Sequence, residues 1–179
     1  MWPIVYYWGI DRFGPRNHKL ARNVVSFSHA VATIGLYHAA PNQWKGEAMC
    51  VNSISYFLWD LIYMSVYRNE PIFMFHHIAS IALLLTNVAW YYKIMGLYYA
   101  EMSNLLTYLV YHRIQIGIPC RGLKEFQAWW YAYFRVFKIG QILRHYWCWD
   151  IVSFGLLGIY MMGNLWGINQ FKKLYSINK

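Results

Sequence analysis

Six stretches of mostly apolar residues, separated by short connections, limit most strongly how this chain of 179 residues can fold. Each stretch is about 20 residues long, which as a helix spans the roughly 30 Å hydrocarbon core of a membrane. They lie at about 22–40, 50–67, 71–92, 95–112, 125–145 and 148–168. Because short connections hold neighbouring helices antiparallel, we expect an all-α fold, a polytopic membrane bundle of about six transmembrane helices.

Charge is scarce along the whole chain, as expected for a protein that lies in a membrane. Only 13% of the residues are charged, whereas 59% are hydrophobic and 21% are aromatic. Soluble domains have nearer to a quarter of their residues charged, and a surface with half that charge would expose large apolar patches. Disordered chains are poor in aromatic residues. The composition therefore argues against both of those classes.

Lysine and arginine are distributed unevenly between the two ends of the predicted helices. Eleven of the 16 fall on the side of the N terminus, three on the opposite side and two inside the fifth stretch. The eleven are Arg12, Arg16, Lys19, Arg22, Arg68, Arg113, Arg121, Lys124, Lys172, Lys173 and Lys179. The positive-inside rule then places both termini on the cytosolic side or, in a mitochondrion, the matrix side. We expect these charges to contact anionic lipid headgroups, and no basic soluble module that would bind nucleic acid is visible.

The two ends of the chain differ from its middle. Residues 1–21 have no uninterrupted apolar stretch, so we expect an interfacial N-terminal arm with its Trp and Tyr residues at headgroup level. Residues 22–168 would form the transmembrane domain and residues 169–179 a basic C-terminal tail. Of the three cysteines, Cys120 is left over if Cys50 and Cys148, which fall on one predicted face, form a disulfide.

Ionisable residues inside the predicted helices are the main candidates for function, because burying them costs several kcal/mol unless they are paired or hydrated. His29, Asp60, the pair His76 and His77, and the slightly deeper Arg135 come from four helices. The predicted topology places them at related depth near the basic side. This layer predicts a polar pocket that opens toward that side. The alternative is that these groups only make hydrogen bonds between helices.

Helical spacing predicts the immediate neighbours of these groups. His76 and His77 both reach Ser80, at i+4 and i+3. Adjacent residues point about 100° apart on a helix of 3.6 residues per turn, so both imidazoles cannot face one pocket centre. We expect one to meet a reacting group and the other to orient it or to bond to a neighbouring helix. Glu101 and Asn104, at i+3, form a polar stripe nearer the opposite side.

The motifs of several metal and hydrolase sites are absent from the sequence. The chain has one adjacent histidine pair and no HxxxH, ExxH or HExxH spacing. It also lacks the GxSxG turn of serine hydrolases and the GxxxxGK loop that binds phosphates. We therefore expect no metal and no tightly bound cofactor.

Five segments in this order resemble the TLC-domain family, which includes the ceramide synthases and the translocon-associated membrane proteins. They are SFSHAVATIGLYH, SYFLWDLIYM, FHHIASIALL, YYAEMSNLLTYL and YFRVFKIGQIL. The resemblance covers nearly the whole chain. Its strongest elements are His29, the dipeptide Trp59–Asp60, the adjacent histidines and Arg135.

The resemblance implies a membrane bundle around a lipid-accessible cavity, in the endoplasmic reticulum. In ceramide synthases the paired histidines, here His76 and His77, serve acyl transfer from acyl-CoA to a sphingoid amine. An imidazole can act as nucleophile or general base, and Asp60 could hold its tautomer. The phosphates of acyl-CoA would meet the basic side, and the residues assigned to this contact are Arg113, Arg121 and Lys124.

The chain also departs from the ceramide synthases. Their motif continues into an aspartate-rich stretch on the next helix, where this chain has GLYYAEMSNLLTYLVYHR without any Asp. It is therefore more similar to the non-synthase members of the family. Two functions remain open. One is a lipid-handling protein that binds phospholipid and uses acyl-CoA if it is an acyltransferase. The other is a non-catalytic accessory subunit that binds other membrane subunits in a large complex, for example in the inner mitochondrial membrane.

Overall fold

A computed structural model describes residues 1–14, 16–67, 70–118, 121–148 and 150–176, and these residues form helices and connections without any strand. The elements are α1 (Trp2–Phe13), α2 (His18–Ala39), α3 (Asn42–Tyr67), α4 (Pro71–Leu85), α5 (Trp90–Gln115), α6 (Arg121–Tyr131), a π-helical segment (Ala132–Lys138), α7 (Ile139–Tyr146) and α8 (Ile151–Ser176). The all-α expectation is confirmed. Arg68, Cys120 and Lys179, which entered the charge and cysteine counts, lie outside the described residues.

Each of the six apolar stretches lies largely in one helical run, and the fifth consists of α6, the π-helical segment and α7 in succession. The third is shorter than expected, because α4 ends at Leu85 instead of continuing to position 92. The Lys93 ammonium donates to the carbonyl oxygens of Leu84 at 2.8 Å and Thr86 at 2.6 Å. These are among the carbonyls that a helix end leaves unsatisfied, so a lysine from α5 stabilises the end of α4.

The N-terminal arm packs on the bundle as the short helix α1. Trp2 and Tyr6 are 3% and 5% exposed, and the indole N–H of Trp2 donates to Ser55 Oγ at 3.0 Å. Tyr7 and Trp8, on the other face, are exposed. The expectation that the aromatic residues of this arm lie among headgroups is therefore wrong for Trp2 and Tyr6. An amphipathic helix that finds an apolar groove buries one face there.

The two described cysteines do not form the disulfide that their predicted face allowed. Cys50 is buried in α3, whereas Cys148 is exposed between α7 and α8, and both are free thiols. The disulfide that their predicted position on one side of the membrane made possible is therefore not formed, because one thiol is buried within α3 and the other lies exposed in a connection.

Helix α8 is the one helix in the described part of the chain that is long and apolar enough to cross a membrane. Its qualifying segment is Ile151–Lys172, 22 residues with a mean hydropathy of 1.5. Helix α4 is apolar as well, but its 15 residues are fewer than the roughly 20 that span the hydrocarbon core. The polar residues that the other helices carry on their inner faces lower their hydropathy.

The packing centre of the described residues is α5, which contacts α2, α3, α6, the π-helical segment and α7, while α2 also packs against α1 and α3. The π-helical segment packs against α5 and α8, and α4 against α3 and α8. A space remains between helices α2–α5, the π-helical segment, α7 and α8, and the functional candidates lie around that space.

Candidate functional site

A cavity of about 660 Å³ lies between α2–α5, the π-helical segment, α7 and α8. This volume is within the range of small-molecule sites. Because the helices run antiparallel, the depth of each lining residue follows from its place along its helix. The lining nearest the N-terminal side is polar and includes Lys19, Arg22, Asn23, Asp60 and Gln115. The lining at the far end is mainly apolar and includes Leu83, Leu84, Ile142, Leu143, Leu156 and Ile159.

A buried ion-pair network joins three helices at the polar end. Arg22 Nε lies 2.7 Å from Asp60 Oδ1, and Arg22 Nη2 lies 2.8 Å from Asp60 Oδ2. His77 Nε2 lies 3.1 Å from the same Oδ2. The two-pronged arginine contact is the strongest hydrogen-bonded form of an ion pair. Asp60 thus accepts from both α2 and α4 and fixes how these helices sit against α3.

The two adjacent histidines have different partners. Both imidazoles line the cavity, with ring centroids 5.5 Å apart. His77 turns its Nε2 toward Asp60, whereas His76 makes an edge contact with Trp166 at a centroid distance of 5.4 Å. The two rings thus point to different partners, as the helical angle predicted, and one of them bonds to a neighbouring helix, although both line the cavity. The Nδ1 atom of each is buried without a hydrogen-bond partner.

Arg135 enters the cavity from the π-helical segment. Its side chain is buried, 5% exposed, and its Nε atom has no hydrogen-bond partner. A Cβ at Gly163 on α8 would lie 3.0 Å from Arg135 Cγ and Nε, so the glycine leaves room for the arginine. Short π-helical segments occur often at functional sites. Their wider turn points a side chain in a direction that regular α-helical spacing would not give it.

Glu101, Asn104 and Ser80 line the same cavity, as the polar stripe on α5 and the serine on α4 predicted. His29 does not. It stacks on Tyr56 at a centroid distance of 4.1 Å and lies behind the cavity wall. Its Nδ1 lies 3.6 Å from Glu101 Oε1. The assignment of His29 to the cavity is wrong, and its contacts between helices match the alternative considered for it from the sequence.

The three basic residues assigned to headgroup or acyl-CoA contact, Arg113, Arg121 and Lys124, are not among the residues that line the cavity. The Arg121 side chain is 79% exposed and lies 3.5 Å from Glu125. The basic groups that the structure brings to the cavity are Lys19, Arg22, Lys93 and Arg135.

Sequence reasoning missed the role of Arg22, which was counted with the loop charges that set topology. A signal was present, because Arg22 lies one turn inside α2 and a buried Asp60 requires a cation at similar depth. Glu70, before α4, lies 3.4 Å from Arg22 Nη1 and was missed as well.

Among the described residues, no group of three or more His, Cys, Asp or Glu side chains is arranged to hold a metal ion. Comparisons with models of protein families, with curated proteins and with solved structures find no match to this chain. The chemistry of the site therefore rests on its own geometry. It combines a neutralised carboxylate that orients one imidazole, a second imidazole with a free ring nitrogen, and an unpaired guanidinium above an apolar chamber.

Proposed function

We propose that this chain is a multi-pass membrane protein that holds one lipid-like amphiphile in its central cavity. The observation that carries the proposal is the polarity of the cavity along the bundle. Most of the charged and hydrogen-bonding groups line the end nearer the N terminus, whereas leucine and isoleucine side chains dominate the other end, where the Lys93 ammonium is engaged by the carbonyls at the end of α4. Ligand sites combine a few placed polar groups with a large apolar lining, and an amphiphile requires both.

Outward-facing side chains favour a lipid environment for more helices than α8. Leu58, Ile62 and Val66 are 50–65% exposed along one face of α3, and Ile72 and Ile78 are 61% and 55% exposed on α4. Contiguous exposed apolar faces of this kind mark protein or membrane contacts. We therefore extend the proposal to six crossing helices with both termini on one side, in the endoplasmic reticulum or the inner mitochondrial membrane.

Acyl transfer of TLC-domain type is the catalytic form of the proposal. His77 would be oriented by Asp60, 3.1 Å away, and His76 would present its free nitrogen to the substrate. A base must lie within hydrogen-bond reach of the proton it takes, and an imidazole that lines the ligand cavity meets that condition when a substrate is bound.

The second candidate is a non-catalytic accessory subunit that clamps a lipid within a larger membrane complex. The observation that favours it is the position of the Arg22–Asp60–His77 network, which ties α2, α3 and α4 together. Groups already engaged with one another fix helix packing without any reaction. In this case the bound lipid would be a structural phospholipid or fatty acid.

The test is native mass spectrometry of the protein, isolated from membranes in mild detergent, with identification of the released lipid. We expect a 21.4 kDa species carrying one amphiphile. Gly96 lines the cavity and a Cβ there meets nothing within 4 Å, so Gly96→Leu should narrow the chamber and weaken retention. Gly35→Leu is the matched control, because Gly35 has equal free space but lies outside the lining.

Retention in Gly96→Leu as strong as in Gly35→Leu and the wild-type protein would place the lipid on the outer surface and overturn the proposal. Recovery of the wild-type protein only within a stoichiometric complex would favour the accessory subunit over a free-standing enzyme. If that complex catalyses acyl transfer and His76→Ala abolishes this activity, the result would support the catalytic form of the proposal.

A further inference from the structure

We propose that Arg135 binds the oxyanion head group of a single-chain amphiphile, a carboxylate or a phosphate monoester. This inference rests on the proposed lipid-binding function and names the class of ligand. Among the described residues, the positive charge of Arg135 has no ion-pair partner. The side chain of Arg135 is 5% exposed, and no carboxylate of the described residues lies within 4.0 Å of it.

The contacts that Arg135 does make leave its donors available. The guanidinium lies 5.9 Å from the centre of the Tyr131 ring, and the buried Nε is without an acceptor. A buried arginine is ordinarily paired, because its five N–H donors lose their hydration in the protein. An unpaired arginine beside a cavity therefore predicts that the ligand brings the acceptor. Carboxylate and phosphate match its planar donor geometry.

Glu101 is the competing anion inside the chain, since it lines the same cavity. Its Oε1 lies 3.6 Å from His29 Nδ1, on the side away from the cavity, and its Oε2 has no hydrogen-bond partner. Glu101 is thus close enough to influence an anionic ligand without occupying the donors of Arg135. Its neutralisation should strengthen the binding of an anion and leave a neutral ligand unaffected.

The size of the cavity limits the ligand to one chain. A water molecule occupies about 30 Å³ in the liquid. If each non-hydrogen atom of a ligand needs about as much, 660 Å³ holds on the order of 20 of them. That is enough for a fatty acid, whereas the second chain of a phospholipid would have to lie outside the cavity. Ile139, Ile142 and Leu143 follow Arg135 along α7 and line the cavity, so the chain would lie beyond the head group against them.

The experiment measures saturable binding of radiolabelled myristate to the purified full-length protein in detergent, with myristyl phosphate and myristyl alcohol as competitors. Nonspecific uptake by the micelle is the radiolabel that remains bound in the presence of excess unlabelled myristate, and it is subtracted. We expect the acid and the phosphate to bind at least tenfold more tightly than the alcohol, because a charge-assisted hydrogen bond is about twice as strong as a neutral one. A ratio near one in the wild-type protein would overturn the inference without any variant.

The variants assign the effect to one side chain. Arg135→Gln should reduce the acid-to-alcohol ratio to about one, whereas Glu101→Gln should raise it. Lys138→Gln is the matched control, since Lys138 belongs to the same π-helical segment but lies outside the cavity lining. If Arg135→Gln does not fold, Arg135→Lys replaces it, with a smaller loss expected because one ammonium cannot give the two-pronged contact. Acid binding that Arg135 variants do not change would refute the assignment.

Binding of myristate and myristyl phosphate with no role for Arg135 would leave the proposed lipid cavity intact and remove only this inference. A preference for the phosphate would identify a phosphorylated amphiphile as the ligand, and a preference for myristate a fatty acid. The absence of saturable binding for all three compounds would instead refute the proposed function.

Discussion

Removal of either charge from the Arg22–Asp60 pair should destabilise this protein more than any other single polar substitution. The side chains of Arg22 and Asp60 are 15% and 1% exposed, and two hydrogen bonds of 2.7 and 2.8 Å join them. Asp60→Asn keeps the shape of the side chain but leaves the guanidinium with only the longer and more exposed contact to Glu70, at 3.4 Å. Breaking a buried pair from one side costs about 3–5 kcal/mol, because the partner charge stays buried.

The double variant separates the energy of the interaction between Arg22 and Asp60 from the contribution that each side chain makes by itself. If Asp60→Asn and Arg22→Met each cost about 3 kcal/mol, independent effects would give about 6 kcal/mol together. Because neither of the two charges of this pair remains in the double variant, we expect a coupling of at least about 2 kcal/mol. The assay is reversible unfolding in mixed micelles, followed by the tryptophan fluorescence of the chain.

The exposed pair Arg121–Glu125, 3.5 Å apart, is the control. Its side chains are 79% and 56% exposed, so Glu125→Gln should produce no resolvable loss of stability. Additive single effects at Arg22 and Asp60, or losses no larger than that of Glu125→Gln, would refute the view that this pair holds α2 to α3.

Three further predictions concern the contacts around the bundle. Gly9→Val should loosen α1 and speed its removal by protease, because a Cβ at Gly9 would lie 3.0 Å from the Cα of Ala21; unchanged protection would contradict the docking of α1. Lys93→Met should lower the free energy of unfolding by about 1–3 kcal/mol, since two charge-assisted hydrogen bonds to the end of α4 are lost, and denaturant titration measures this. Burial, with a smaller contribution from Tyr63, raises the pKa of Tyr6 from 10.0 to about 12. The unfolded chain therefore ionises first, and stability falls as the pH rises from about 10 to 12, a decline that should be shallower in Tyr6→Phe.

The helical runs from α2 to α8 could be located from the sequence because each coincides with one local feature, a mostly apolar stretch between short polar connections. The end of α4 could not, since it is fixed by Lys93 of the next helix. In the same way, the aromatic composition of residues 1–21 indicated an interfacial arm, whereas the burial of Trp2 depends on a groove formed by α2 and α3. A property that depends on the contact between two helices cannot be predicted from the sequence of either helix alone.

The candidate site shows the same division. Depth along the helices was enough to predict that Asp60, His76, His77 and Arg135 lie near one another, because depth follows from position in an antiparallel bundle. The rotation of each helix about its own axis could not be predicted from the sequence. This rotation places His29 behind the cavity wall. The π-helical segment adds a local change of rotation at Arg135 that no regular period predicts.

Two buried arginines in one cavity should respond in opposite ways to the same substitution. Arg22 is paired, so Arg22→Met removes the partner of Asp60 and destabilises the protein. Arg135 is not paired among the described residues, and an apolar side chain of similar length in its place removes the cost of an unmatched charge. We therefore expect Arg135→Met to raise the free energy of unfolding without ligand by on the order of 1 kcal/mol while it abolishes the preference for myristate over myristyl alcohol. An arginine that lowers the stability of the protein without ligand, and that is required for ligand preference, has a binding role. A loss of stability in Arg135→Met would instead show that this arginine holds the helices together, as Arg22 does.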